Sequence, residues 1–170
     1  MHSTVDLMVE IQKECHPIIE DVKAIEIEID KLPLDAAGIV EPKTLHEGRF
    51  SIYFLAALAL AEGKVTVDNL TEEKVLDPRL EILRKKINAK GGLFNVGLSA
   101  SVKVHMKDGT IHEKYTPAPK GSSEKPLSTE EVIEKFKITS GLSPVVAGKV
   151  IEQVMGLDGL PSVNEIISLI

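Results

Sequence analysis

The stretch Val96-Gly97-Leu98-Ser99-Ala100-Ser101-Val102-Lys103-Val104-His105-Met106-Lys107-Asp108-Gly109-Thr110 decides the fold. Val96, Leu98, Ala100, Val102, Val104 and Met106 fall on one face of an extended chain, and Ser99, Ser101, Lys103, His105 and Lys107 fall on the other. Such alternation marks a strand with one dry and one wet face. Asp108-Gly109 is a type I′ turn dipeptide. The spacing therefore predicts a two-residue loop that pairs Lys107 with Thr110, His105 with His112 and Lys103 with Lys114. A long hairpin over about residues 95–115 follows.

Working outward, Ile25, Ile27 and Ile29 alternate with Glu26, Glu28 and Asp30 and predict another strand. Ahead of it, Ser3 and Asp6 read as a capping box opening a helix through Val5, Met8, Ile11 and Cys15 that His16-Pro17 ends. Between Lys31 and Lys43, the residues Pro33, Gly38 and Pro42 predict a long connection. Thr44 and Glu47 repeat the capping logic before the run Phe50 to Ala61, apolar nearly all round, which predicts a buried helix stopped at Glu62-Gly63. Asp77-Pro78 opens a surface helix through Leu80, Leu83 and Ile87 toward Gly91-Gly92. The expected fold is α+β: a two-layer sandwich whose antiparallel sheet is packed by helices.

From Thr116 to Leu127 the composition shifts to Pro117, Pro119, Lys120, Gly121, Ser122, Ser123 and Pro126. The expected organisation is an α+β domain over 1–116, a linker over 117–127 and a helical tail over 128–170. The tail carries Ser128 with Glu131, Ser143 with Pro144 and Ser162 with Glu165 as helix starts. Its apolar residues, Val132, Ile133 and Phe136, then Val145, Val146, Val150, Ile151 and Val154, then Val163, Ile166, Ile167, Leu169 and Ile170, exceed what three short helices hide among themselves. A partner is expected to cover them.

Composition narrows the function. The chain has 170 residues, 43% apolar and 27% charged, which suits one globular domain or a domain with a tail. Its 20 basic residues against 26 acidic ones leave a net charge of −6, which argues against nucleic acid. The longest apolar run, Ile52 to Ala61, is ten residues, too short to span a bilayer. With a single cysteine and no signal-like opening, the expected location is a reducing cytoplasm.

No phosphate loop, cysteine metal pattern, H-E-x-x-H or G-x-S-x-G occurs. His105 facing His112 could share a metal ion, but structural and catalytic sites need three or four ligands and the neighbours are lysines, so no metal is assigned. Lys103 opposite Lys114 would cost stability unless that face met acidic groups on another subunit or layer. His46 beside Glu47 is a candidate acid/base residue, with a capping role for Glu47 as the simpler reading. Tyr53 within the apolar helix is a second candidate, since its hydroxyl needs a partner. Cys15 is read as packing.

Several blocks taken together resemble the C-terminal part of the MmgE/PrpD family: His2 to Asp6, Gly48-Arg49-Phe50-Ser51 running into Glu62-Gly63-Lys64-Val65, and Val75-Leu76-Asp77-Pro78-Arg79-Leu80. Val104 to Gly109 is similar to that family's strand and Asp-Gly hairpin, and Pro119-Lys120-Gly121 through Pro126-Leu127-Ser128 to Lys135-Phe136 is similar to a further family block. The resemblance implies lyases and related enzymes of the 2-methylcitrate dehydratase kind, acting on small polycarboxylates without a metal or cofactor. It also implies a helical domain that supplies most of the site and receives the last helices. That domain and a Lys and His just upstream of the His2 block lie outside these residues, and the family's tyrosine falls on Phe54, with Tyr53 one position early. A one-residue step turns a helical side chain by roughly 100°. The expectation is a chain that is not catalytic alone, partnered by a separately encoded helical domain or, as a non-catalytic binding or regulatory module, by a second copy of itself.

Overall fold

The computed structural model describes residues 1–92 and 98–170, so Val96 lies outside the described residues. The chain divides into two compact units, Met1–Lys125 and Pro126–Ile170. Each is built from its own local signals.

The first unit opens with α1 (His2–Cys15). Its buried stripe is Thr4, Leu7, Met8 and Ile11, at spacings of three and four, while Cys15 is exposed rather than packed. The expected capping box does not close. Ser3 Oγ donates instead to the Leu98 carbonyl, and the Asp6 carboxylate accepts the Lys120 N–H at 2.7 Å. After β1 (Val22–Ile29), the segment expected as a long connection forms α2 (Lys31–Ala37). Pro33 sits in its first turn, where a missing N–H breaks no helical bond.

The short α3 (Leu45–Arg49) and the buried α4 (Ile52–Glu62) follow. Ser51 Oγ caps α4 by accepting the Phe54 N–H at 3.0 Å, and Gly63, at φ 66°, ends it in a left-handed conformation that a side chain would strain. Then come α5 (Glu72–Val75) and α6 (Pro78–Arg84), the latter capped by Asp77. The helix expected to run toward Gly91 stops at Arg84, and Ile87 begins β2 (Ile87–Gly91). The remaining strands are β3 (Ala100–Met106) and β4 (Ile111–Thr116).

These strands make one sheet in the order β2-β1-β3-β4. The β1–β3 and β3–β4 pairs are antiparallel, as expected, but β1 and β2 are parallel, with Ile25 beside Ile87 and Ile27 beside Ala89. One face packs against α1 and α4. There Leu7, Met8, Ile11, Ile52, Ala56, Ala59 and Leu60 meet Ile25, Ile27, Ile29, Val102 and Val104 in one core. A second cluster, Phe54, Leu55, Leu58, Val75 and Leu80, joins α4 to α5 and α6.

The hairpin closes with a three-residue loop, not two. The Met106 N–H donates to the Thr110 carbonyl at 2.8 Å, the Gly109 N–H donates to Met106, and Gly109 has φ 93°. A type I turn followed by a left-handed glycine accounts for this as well as Asp-Gly does for a type I′ turn. The slip of one residue puts every β4 side chain on the opposite face. His105 faces Ile111 rather than His112, and Lys103 faces Glu113, its ion-pair partner at 3.0 Å, rather than Lys114. Lys114 instead points toward α1, where Glu14 and Glu10 take it at 2.7 and 3.5 Å. The opposed-lysine reason for an acidic partner disappears with that register.

The second unit holds α7 (Thr129–Thr139), α8 (Pro144–Met155) and α9 (Asn164–Ile167). Ser128 and Glu131 form the expected capping box, and Ser143 caps α8. The helix expected from Ser162 and Glu165 forms as α9, without a side-chain cap, and Ser162 Oγ accepts the Asn164 N–H. Within this unit only Ala147 and Val150 are buried. Among the described residues no helix is long and apolar enough to cross a membrane.

Candidate functional site

Helices α1 and α4 run side by side in the same direction. Met1 and Val5 pack on the Phe54 cluster near the start of α4, and Gly63 at its end lies against Gln12. Their N-termini therefore reach one end of the sandwich, where β1 finishes and β3 begins. Buried polar residues at that end include Ser3, Thr4, Asp30, Ser51, Ser99 and Thr116.

Asp30 stands at the N-cap position of α2 yet does not cap it with its side chain. Its carboxylate turns inward and accepts the Ser99 N–H at 3.2 Å and the Ser99 hydroxyl at 3.3 Å, linking residues 69 apart in sequence. Burial holds the Met1 amine below its ordinary range, while the charges of Asp30 and Asp6 work against that shift. Ser51 donates to the Ile39 carbonyl at 2.6 Å and so ties the start of α4 to the segment after α2.

Tyr53 lies at the start of α4, half-buried at the margin of the main core. Phe54, at the position the resemblance gives to a tyrosine, is fully buried in the second cluster. Gly48 explains part of its fit, because a Cβ there would come within 2.7 Å of Val75 Cγ2 and 3.2 Å of the Phe54 ring. His46 is exposed on α3 and tilts against Phe50, the ring centroids 5.3 Å apart. The neighbouring Glu47 is engaged in capping, its carboxylate accepting the Lys43 N–H at 2.6 Å and its own N–H bound to Thr44 Oγ1. Among the described residues no hydrogen bond, ion pair or ring contact joins His46 to Tyr53.

On the other face of the sheet, His105 Nε2 lies 3.1 Å from Glu26 Oε1, while His112 is on the helix-bearing side. The two imidazoles cannot share an ion. Among the described residues no cluster of three or more His, Cys, Asp or Glu could hold a metal. At the opposite end of α4, Glu62 binds Lys74 at 2.6 Å and Asn69 at 2.8 Å. Burial pushes the Glu62 carboxyl up, but Lys74 and Asn69 together outweigh it and hold the carboxyl below its ordinary range. This network ties the 64–70 segment to α4, since Asn69 also bonds the Lys64 carbonyl and the Thr66 N–H.

Sequence reasoning missed Asp30 and Ser99, whose pairing is long-range and has no local signal. It also missed Arg84, buried at the end of α6.

Fold and site define an α+β sandwich domain with polar residues gathered at the helix N-terminal end. The MmgE/PrpD C-terminal domain matches residues 1–154, and the chain belongs to that family. It is similar to cis-aconitate decarboxylase of Mus musculus, 29% identical over 100 residues, which is 56% of this chain and 20% of that protein. The human cis-aconitate decarboxylase is 30% identical over 101 residues, 56% of this chain and 21% of the relative. The matched stretch thus spans about one fifth of these relatives' length.

Proposed function

We propose that this chain is the small, sheet-bearing domain or subunit of an MmgE/PrpD-type lyase of the 2-methylcitrate dehydratase kind, acting on small polycarboxylates and completed by a helical polypeptide. The observation that carries the reading is the family match over residues 1–154, beside the likeness to cis-aconitate decarboxylase. The unassembled state of the candidate residues supports it. Tyr53 and His46 occupy separate positions, one half-buried and one exposed, and among the described residues no hydrogen bond or ion pair joins either to an acid or a base. In this reading Tyr53 lines the site from the start of α4, His46 lies at its rim, and the tail docks on the helical partner through Val145, Val154 and Ile167, all exposed. No metal or cofactor enters the chemistry.

Dehydration of 2-methylcitrate and decarboxylation of cis-aconitate, followed for the chain alone and together with a helical polypeptide from the same cells, test it. The expected result is no turnover alone and turnover by the pair. Turnover by the chain alone, or none by an assembled pair, contradicts it. A second reading, a non-catalytic homodimeric binding module, is favoured by Phe54, which places no hydroxyl at the tyrosine position. A dimer interface holding Val145, Val150, Ile166 and Ile167 would select it.

A further inference from the structure

Helix α6 and the turn after it carry the row Arg79, Ile82, Leu83 and Lys86, whose spacings of three, one and three put them on one helix face. This row is one wall of an open cavity of about 240 Å³, and Ile19 and Glu20, just ahead of β1, are the other. Leu83 belongs to the main core and is covered, whereas Ile82 is 60% exposed. At one end of the row the Lys86 ammonium is tethered, its Nζ donating to the Val22 carbonyl at 2.5 Å. At the other end the Arg79 side chain is 74% exposed, and its ion-pair partner Glu20 stands 3.7 Å from Nη2 and is exposed as well. Among the described residues no hydrogen bond takes the Arg79 guanidinium.

An exposed ion pair too long for a hydrogen bond contributes little, so Glu20 yields easily and the forked donors of Arg79 are open to a better acceptor. The planar fork matches the two oxygens of a carboxylate. Two cations and one carboxylate line the cavity and leave it a net positive charge, which suits a monoanion better than a phosphate dianion. Its size sets the rest of the ligand: at roughly 20–30 Å³ per non-hydrogen atom, the space takes a body of about ten atoms. Ile19, Ile82 and Leu83 make that body apolar, and covering the exposed Ile82 adds hydrophobic gain. We propose that this groove binds a small monocarboxylate with an apolar body, its carboxylate on Arg79 and its body against Ile19, Ile82 and Leu83. The proposal goes beyond the lyase reading and stands without it.

The test is an NMR titration of the whole chain at constant ionic strength with three probes: phenylacetate, its neutral isostere phenylacetamide, and acetate, which has the head without the body. The readouts are the methyl signals of Ile19, Ile82 and Leu83 and the Arg79 Nε–H signal. Phenylacetate is expected to move all four with one saturating curve and a Kd of the order of 1 mM, the affinity ten atoms at ordinary ligand efficiency give. Phenylacetamide and acetate are each expected to bind about tenfold more weakly. Arg79→Gln, at an exposed position, is expected to bring phenylacetate down to the level of the amide, and Ile82→Ser to weaken phenylacetate while leaving acetate unchanged. No saturable movement of these signals up to about 20 mM phenylacetate overturns the proposal, and that result depends on no variant. Equal binding of phenylacetate and phenylacetamide, or an unchanged Kd in Arg79→Gln, overturns it as well, because either removes the carboxylate from Arg79.

Discussion

The two units use the same helix-starting grammar and reach different ends. Ser51, Asp77, Ser128 and Ser143 all cap helices through their side chains. In the first unit the capped helix α4 is buried almost throughout, with Phe54, Leu58 and Leu60 fully covered. In the second, α7 has no buried residue and α8 has only Ala147 and Val150. Caps set where a helix begins, but tertiary burial supplies most of its stability. The first unit carries its own core, whereas the second presents apolar residues such as Val145, Met155 and Ile170 to solvent.

The largest expected effect sharpens that contrast. Phe54→Ala removes a fully buried ring and should cost the first unit about 3–5 kcal/mol. The same truncation in the tail, Phe136→Ala, should leave the main unfolding transition where it is. Denaturant melts of both variants decide it, and equal shifts would mean one cooperative unit. Gly48→Ala comes next, at about 1–3 kcal/mol, because the added methyl must displace Val75 or the Phe54 ring. Breaking the α7 cap with Ser128→Ala should cost about 1 kcal/mol. Amide exchange should place that loss in α7 alone.

The smallest effect is the pH dependence. Burial raises the Asp6 carboxyl, so its contribution to stability is full below the unfolded carboxylate range and lost as pH rises through the folded value. Glu62 is lowered, so its contribution is present above the unfolded range and lost as pH falls through the folded value. Asp6→Asn should therefore hold or raise stability at neutral pH, since an amide oxygen can still accept the Lys120 N–H, while Asp6→Ala should lower it. Melts from pH 3 to 8 separate these outcomes.

Much of the fold was legible in local pattern. The alternation at Ile25, Ile27 and Ile29 and from Ala100 to Met106 matched β1 and β3, and the apolar run matched α4. β2 was hidden because Ile87 fits both the helical spacing from Leu83 and a strand, and only its parallel pairing with Ile25 decides between them. α2 was hidden by Pro33, which reads as a breaker until its place in the first turn is known. The hairpin register turned on a single loop residue, because Asp-Gly serves two turn types. Of the candidate site, Tyr53 and His46 were visible as residue types, while the Asp30–Ser99 pairing and the isolation of Arg84 exist only in three dimensions.

The most direct test of the account is the native mass and composition of this protein recovered gently from its own cells. The account predicts a complex with a helical MmgE/PrpD polypeptide, with the tail protected from amide exchange in the complex and unprotected in the isolated chain. Recovery of the chain by itself, with the tail already protected, would contradict it.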